Sequence, residues 1–346
     1  MSYKTVSIET EKQRQRALDV DTQLPYQVAG EMKSVPLRKS AGELEMPVLS
    51  KPMGELITTA DGLSELVESV VLDVELGRER VPVLYSPIYD RLEDAEFPEV
   101  FDAKWALEGR VVFVQRLENE EVTFGTLAAE EGPIARIKSY AAGFEYTEEM
   151  LMYNQAFNVQ VLNRSMGEAY NALLNHIHLD PIVSASYDAD HSTDPQGDDD
   201  EYYPIQIRKT LKQGLIDAAS KGRPATVLLA PPALQWDIEE ALRRHVISGT
   251  EYPELGGVDT VIYYGGWETK VGEKTYSYDG VGSTDAYLIR PTRGFKELVK
   301  RDLMVDAQPG PISRLIEEQI VGRAHRGVFA AIDENVQKLD LTEQTS

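Results

Sequence analysis

Cysteine is absent from all 346 residues. That excludes disulfides, thiolate metal sites and cysteine nucleophiles, so stability has to come from packing or from assembly. Long hydrophobic runs are missing as well. No apolar stretch approaches the roughly 18 residues that span a bilayer, and the opening Met-Ser-Tyr-Lys-Thr lacks the apolar core of a secretory signal. The expectation is a soluble product, made in the cytoplasm, with no membrane partner. Basic residues are in deficit: 35 Lys and Arg against 58 Asp and Glu leave a net charge of −23. Phosphate binding relies on clustered Lys and Arg, so this composition argues against nucleic-acid recognition through a basic face.

Catalytic signatures are scarce too. The five histidines, His176, His178, His191, His245 and His325, include no pair at the spacing of a helical zinc motif. His176 and His178 stand two apart in a helical pattern and point in different directions. No Gly-x-Ser-x-Gly elbow occurs, Gly280-Val-Gly-Ser283 lacks the third glycine of a dinucleotide loop, and Gly272-Glu-Lys-Thr275 does not place Lys directly after the second glycine of a phosphate loop. With 58 acids any fold brings some carboxylates together, so acid–base pairs carry little information. No catalytic residue and no cofactor is expected.

The organising stretch runs from Pro133 to Leu179. Pro133 to Tyr146 reads as a strand, and from Thr147 a helical pattern continues to about His178, with Thr147, Glu148 and Glu149 as start chemistry and Pro181 as the expected stop. About 30 residues at 1.5 Å each make a rod on the order of 45 Å. Leu151, Phe157, Val161, Ala169, Ala172, Leu173 and Ile177 fall mostly at three- and four-residue steps, while Asn154, Asn158, Gln160, Asn163, Asn171 and Asn175 fill the gaps. Such nearly uncharged amide sides suggest contact with other protein; a merely Asn-rich polar surface is the plain alternative.

Ahead of this stretch, residues 1–53 read as an extended arm with scattered prolines, many apolar side chains and one short helix around Glu9 to Asp19. Within residues 1–50 Glu9, Glu11, Asp19, Asp21, Glu31, Glu43 and Glu45 balance Lys4, Lys12, Arg14, Arg16, Lys33, Arg38 and Lys39, so the net charge resides downstream. Residues 58–80 pattern as a core-facing helix, and Val111–Leu117 with Val122–Leu127 as a hairpin with an acidic tip.

Beyond the long helix, Tyr187 to Glu201 is rich in acids. The candidate metal ligands are Asp188, Asp190, Asp198 and Asp199, but counting from Asp188 puts Thr193 where a helix-loop-helix calcium site needs Gly, and Asp199 where it needs Glu. A solvated loop is the plainer reading; an ion shared between subunits is the other. Residues 205–248 read as an α/β unit: helix Ile205 to Ser220, buried strand Ala225 to Ala230, then helix Ala233 to Val246. The loop Pro231-Pro232-Ala233 has no glycine cradle for phosphate. Val258–Tyr264, Lys270–Tyr278 and Asp285–Arg290 read as a β-meander, followed by long strands over Gly294–Leu303 and Ser313–Ala331 and a frayed end at 340–346.

The order of these elements, with Val122-Thr-Phe-Gly-Thr-Leu127, Ile137 to Met150 with Tyr153-Asn154, and Ser313 to Phe329, resembles the major capsid proteins of tailed double-stranded DNA bacteriophages, those with the Hong Kong phage capsid fold. The resemblance covers nearly the whole chain and rests on length and order, since none of the segments is a short chemical signature. It implies an α+β fold with an N-terminal arm at 1–53, and a peripheral domain at 54–182 that includes an extended loop at about 104–140 and a spine helix at about 147–179. It further implies an axial domain at 183–285, and peripheral strands at 286–346 whose last residues return to the axial domain.

The same resemblance implies self-assembly into hexamers and pentamers of an icosahedral virion shell made in the host cytoplasm. Partners would be further copies, scaffolding, portal or decoration proteins, and packaged double-stranded DNA held without sequence-specific contact. Acidic walls suit that role, because an interior that repels DNA does not trap it during filling. Two departures are expected. The arm begins within a few residues of Met1, so assembly would use a separate scaffold or none. Arg110 to Arg136 contains no Lys, so joints would be noncovalent rather than Lys–Asn cross-links. The alternatives are an encapsulin-like nanocompartment shell, disfavoured by the long arm, and a divalent-metal-dependent enzyme using the Asp188–Glu201 cluster.

Overall fold

The computed structural model describes residues 2–7, 23–28, 31–36, 38–40, 43–48, 70–71, 73–78, 80–102, 109–110, 126–127, 134–147, 156–199, 201–243, 245–247, 250–271, 273–309 and 316–344. The class is α+β. The chain divides into two compact units, Met1–Val83 with Lys138–Leu174 and Lys300–Arg326, and Leu84–Ile137 with Asn175–Val299 and Gly327–Ser346.

Two five-stranded sheets carry the architecture. One comprises β1 (Asp90–Glu93), β2 (Val100–Asp102), β3 (Ile134–Thr147), β8 (Phe295–Pro309) and β9 (Ile316–Ala330), in the order β1-β8-β9-β3-β2. The other comprises β4 (Ser192–Thr193), β5 (Val227–Ala230), β6 (Thr260–Tyr263), β7 (Asp285–Ile289) and β10 (Val336–Asp340), in the order β4-β10-β7-β5-β6. The longer helices are α1 (Ala156–Val183), α2 (Tyr203–Ser220) and α3 (Gln235–Leu242).

The strand expected from Pro133 is β3, and it keeps its extended backbone through Thr147. Thr147 is thus the last residue of a strand rather than a helix start, and Glu148 and Glu149 lie outside the described residues. At the other end α1 passes Pro181 and continues to Val183. Proline is tolerated there because it forfeits only its own N–H bond to Ile177, and the last turn is closed by other means. The Ser184 N–H and hydroxyl both donate to the Asp180 carbonyl, at 2.8 and 2.7 Å. Tyrosine hydroxyls take the carbonyls of His178 (Tyr89, 2.7 Å), Ile182 (Tyr187, 2.6 Å) and Val183 (Tyr287, 3.4 Å). The orphan acceptors Asp180, Ile182 and Val183 of this helix end are thereby satisfied, two from the residues just beyond the helix and one from Tyr287.

In the first unit, Val70, Val71 and residues 73–78 are helical, matching the core-facing pattern expected there; the start of that pattern lies outside the described residues. Two glycines set how closely this segment meets α1. A Cβ on Gly77 would lie 2.0 Å from the Arg164 carbonyl oxygen, and one on Gly167 would lie 2.0 Å from that of Val74. No side chain fits between the two backbones. Val70, Val71, Val74, Leu76, Met166 and Tyr170 are buried.

The second unit holds the α/β core. β5 reads Val-Leu-Leu-Ala and is buried at every position, as a strand covered on both faces must be. It pairs parallel with β6 and antiparallel with β7, while β10 pairs antiparallel with β7 and parallel with β4. Ile207 and Leu211 of α2 and Ile238 and Ala241 of α3 pack with Leu228, Leu288 and Leu339. The three runs after residue 258 are consequently not a meander. β6 and β7 flank β5 on opposite sides, and between them Trp267–Val271 and Lys274–Tyr278 form a separate two-stranded hairpin.

Two further expectations change. The helix drawn from Ala233 to Val246 begins as a 3-10 turn at Pro232–Leu234 and ends at Leu242; His245–Ile247 then pairs antiparallel with Thr250–Tyr252. The β-branched Val246 and Ile247 ahead of Ser-Gly carry strand and turn chemistry that outweighs helical spacing. The N-terminal segment is extended, as expected, but its strands pair with one another. Ser2–Ser7 and Arg38–Ser40 flank Glu43–Val48, and Gln23–Val28 pairs with Glu31–Pro36. The helix expected near Glu9 to Asp19 lies outside the described residues. Of the acidic-tipped hairpin, the described part is the pairing of Gly109–Arg110 with Thr126–Leu127.

Candidate functional site

The residues singled out as chemical candidates do not converge. Asp188 precedes the 3-10 turn Ala189–His191 and Asp190 lies within it, Asp198 and Asp199 lie just ahead of α2, and all four are exposed. Two of these acids stand near lysines, Asp190 near Lys221 and Asp198 near Lys209. Lys221 bonds the Asp190 carbonyl and approaches its carboxylate at 3.4 Å. Lys209 bonds Glu201, whose carboxylate accepts the Asp198 N–H at 3.0 Å, and the Lys209 hydrogen bond holds the Glu201 carboxyl below its usual range. Among the described residues no group of three or more His, Asp and Glu is gathered as a metal site.

A cavity of about 400 Å³ lies against this loop, lined by Asp190, His191, Lys221, Gly222, Arg223, Arg290, Asp333 and Glu334. Its cations face main-chain carbonyls: Arg223 donates to Asp333 (3.1 Å) and Asp190 (3.0 Å), and Arg290 to Gly222 (3.3 Å). Arg223 thereby ties the turn after α2 to the chain entering β10.

Polar chemistry concentrates along α1, and it faces inward. Asn163, Asn171 and Asn175 are buried. Asn171 donates to the carbonyls of Arg78 (2.7 Å) and Val81 (2.9 Å) and accepts from the Arg78 guanidinium (3.1 Å). Asn175 accepts the Leu84 N–H at 2.8 Å. Residues 80–84 form neither helix nor strand, so their backbone groups need side-chain partners, and an amide offers both donor and acceptor. The amides expected to meet neighbouring subunits are, at these three positions, used inside the chain. The side chains of Asn154, Asn158 and Gln160 lie outside the described residues.

Two buried clusters were not anticipated from the sequence. In the first unit Arg326, 1% exposed, donates to Asp302 and to the Tyr170 hydroxyl (2.8 Å), while Tyr170 donates to Asp302 at 3.2 Å. Arg78 stands over the Tyr170 ring at 5.3 Å. Burial alone would raise the Asp302 pKa, but Arg326 and Arg78 outweigh it and hold the carboxyl well below its ordinary value. A signal was available: Arg326 is in phase with Ile320, Gly322 and Ala324 on the inward side of β9. In the second unit His178 stacks on Tyr85 with centroids 3.6 Å apart, its Nε2 is 3.7 Å from Glu297, and Tyr85 donates to Glu297 at 3.1 Å. His178, Tyr85 and Glu297 are buried, whereas the Asp302 carboxylate keeps 26% exposure.

At the described positions, buried polar side chains such as Asn171, Asn175 and Arg223 join the chain's own backbone segments. Residues 130–290, from β3 through α1 and the α/β core into β7, match the family described as phage capsid protein. No curated protein matches it in sequence. Among solved structures it is similar to the mature capsid of bacteriophage PhiM1 (9% identity, 75% of this chain and 87% of that one, TM-score 0.49). It is also similar to a virus-like particle from Pyrococcus furiosus (13% identity, 80% and 100%, TM-score 0.48) and to an encapsulin complex from Synechococcus elongatus (10% identity, 77% and 92%, TM-score 0.42).

Proposed function

We propose that the chain is the major head protein of a tailed phage, with a Hong Kong phage-type fold, and that it assembles without catalysis into hexamers and pentamers of an icosahedral shell around double-stranded DNA. The observation that carries this reading is the family match across residues 130–290, which spans the elements on which the frame is built. In this assignment residues 1–53 are an arm laid over neighbours, the hairpin within about 104–140 is the extended loop, and α1 is the spine. The sheet β4-β10-β7-β5-β6 with α2 and α3 is the axial domain, and the outer strands of β3, β8 and β9 are peripheral. The charge of −23 fits walls that do not retain packaged DNA.

Electron microscopy of the purified full-length protein, alone and with the candidate scaffold from the same genome, tests this. Closed icosahedral particles or sheets of hexamers are the expected result. A subunit that stays monomeric or dimeric under both conditions refutes it.

A further inference from the structure

The second unit leaves two apolar surfaces uncovered, and their chemistry is complementary. One is the outward face of α3. Trp236 is 77% exposed, and Asp237 and Glu240 share its side of the helix, while Ile238 and Ala241 turn inward to the core. Tyr202, 51% exposed, donates to Glu240 at 3.2 Å and so adds a second aromatic ring beside the same acids. The surface is aromatic and anionic.

The other is one face of the hairpin. The register pairs Trp267 with Tyr278, Thr269 with Tyr276 and Val271 with Lys274, so these six side chains share a face. At its base that face is covered: Trp267 and Tyr278 stack with centroids 5.6 Å apart, and Tyr278 stacks on His176 at 4.5 Å. Towards the tip it is bare, with Tyr276 at 51% and Val271 at 64% exposure, and Lys274 stands beside them. A two-stranded ribbon is marginal on its own and gains from having its apolar face covered. This surface is aromatic, aliphatic and cationic.

We propose that the two surfaces are the halves of one head-to-tail joint: the hairpin tip of one copy seats on the α3 face of the next, with Tyr276 and Val271 against Trp236, and Lys274 facing Asp237 and Glu240. The proposal rests on the shell reading above, which supplies the second copy as the occupant. Opposite charge argues for this pairing over self-contact of either surface, since two α3 faces would oppose Asp237 and Glu240 to their own kind. A contact between two different surfaces of one chain is heterologous and closes into a ring when its rotation divides a full turn, whereas a self-complementary patch would stop at a dimer. A desolvated Trp with flanking charges has the composition of an interface anchor.

The test uses the full-length chain and its lack of cysteine. Asp237→Cys with Lys274→Cys in one chain is expected, after assembly and mild oxidation, to give a disulfide ladder reaching pentamers and hexamers. Cross-linking within monomers alone, or none in assembled particles, overturns the joint. In parallel, Trp236→Ala and Lys274→Glu are expected to raise the protein concentration needed for assembly by about tenfold or more. Glu240→Lys combined with Lys274→Glu is expected to restore it. All these positions lie on the surface, so the unassembled variants should unfold at the wild-type temperature. Wild-type shells with variants that assemble equally well, or a charge exchange that restores nothing, overturn the joint while leaving the shell reading intact. A wild-type chain that never assembles overturns the shell reading and takes the joint with it.

Discussion

Removing the carboxylate of Asp302 puts the buried cluster of the first unit to a quantitative test. Arg326 is 1% exposed and its partner Asp302 26%, so Asp302→Ala takes the counter-charge from a buried guanidinium that also donates to the Tyr170 hydroxyl. Breaking such a pair from one side costs on the order of 3–5 kcal/mol. Because water reaches part of the carboxylate, the lower end applies, about 3 kcal/mol. At an m-value of about 3 kcal/mol per M, the urea midpoint of the unassembled subunit should fall by about 1 M. The pH dependence gives an independent check. The folded pKa of Asp302 is depressed, so its contribution is fully present above the unfolded carboxylate value of about 3.9 and is lost as the pH falls below it. The gap between wild type and Asp302→Ala should therefore be constant from about pH 5 upward and shrink below about pH 4. A midpoint change under about 0.2 M at pH 7, or a gap that widens in acid, would refute the assignment of Asp302 as the counter-charge.

Gly167→Ala places a methyl 2.0 Å from the Val74 carbonyl, a backbone atom that cannot rotate away. A loss at or above the upper end of the usual 1–3 kcal/mol for overpacking is expected in the same urea titration. Tyr89→Phe removes the donor to the His178 carbonyl and should cost about 1–2 kcal/mol, read by thermal unfolding. Deletion of residues 1–50 should leave the far-ultraviolet circular dichroism of the core elements in place but lower particle yield by electron microscopy. Normal yield would contradict the role proposed for the arm.

Periodicity made the main frame readable in advance. β3, the long helix, the buried run of β5 and the hairpin after residue 266 all announce themselves through period-2 or period-3.6 spacing and flanking turn residues. Partners were harder. Asn171 and Asn175 look like surface amides until the irregular backbone at 80–84 is placed beside them, and nothing local to either segment encodes that meeting. Sheet order was illegible for the same reason: short apolar runs such as Val261-Ile262 fit several neighbours, and the parallel pairing with β5 emerges only when the core assembles. Helix ends failed where a partner came from afar, as with Tyr287, whose hydroxyl meets the Val183 carbonyl at the end of α1 past Pro181. The joining surfaces were the least visible, because one exposed Trp on a short helix has no period to betray it.

The placement of β10 bears on how the subunit is made. It lies between β4 and β7, and the hydrogen bond from Gln337 to Thr193 bridges 144 residues of chain. During synthesis the earlier strands of this sheet emerge with the slot between β4 and β7 vacant until residues 336–340 follow. A nascent or truncated chain that stops short of them exposes unpaired strand edges, which favours capture by chaperones or proteases over incorporation. Only a chain translated past that strand can complete the sheet.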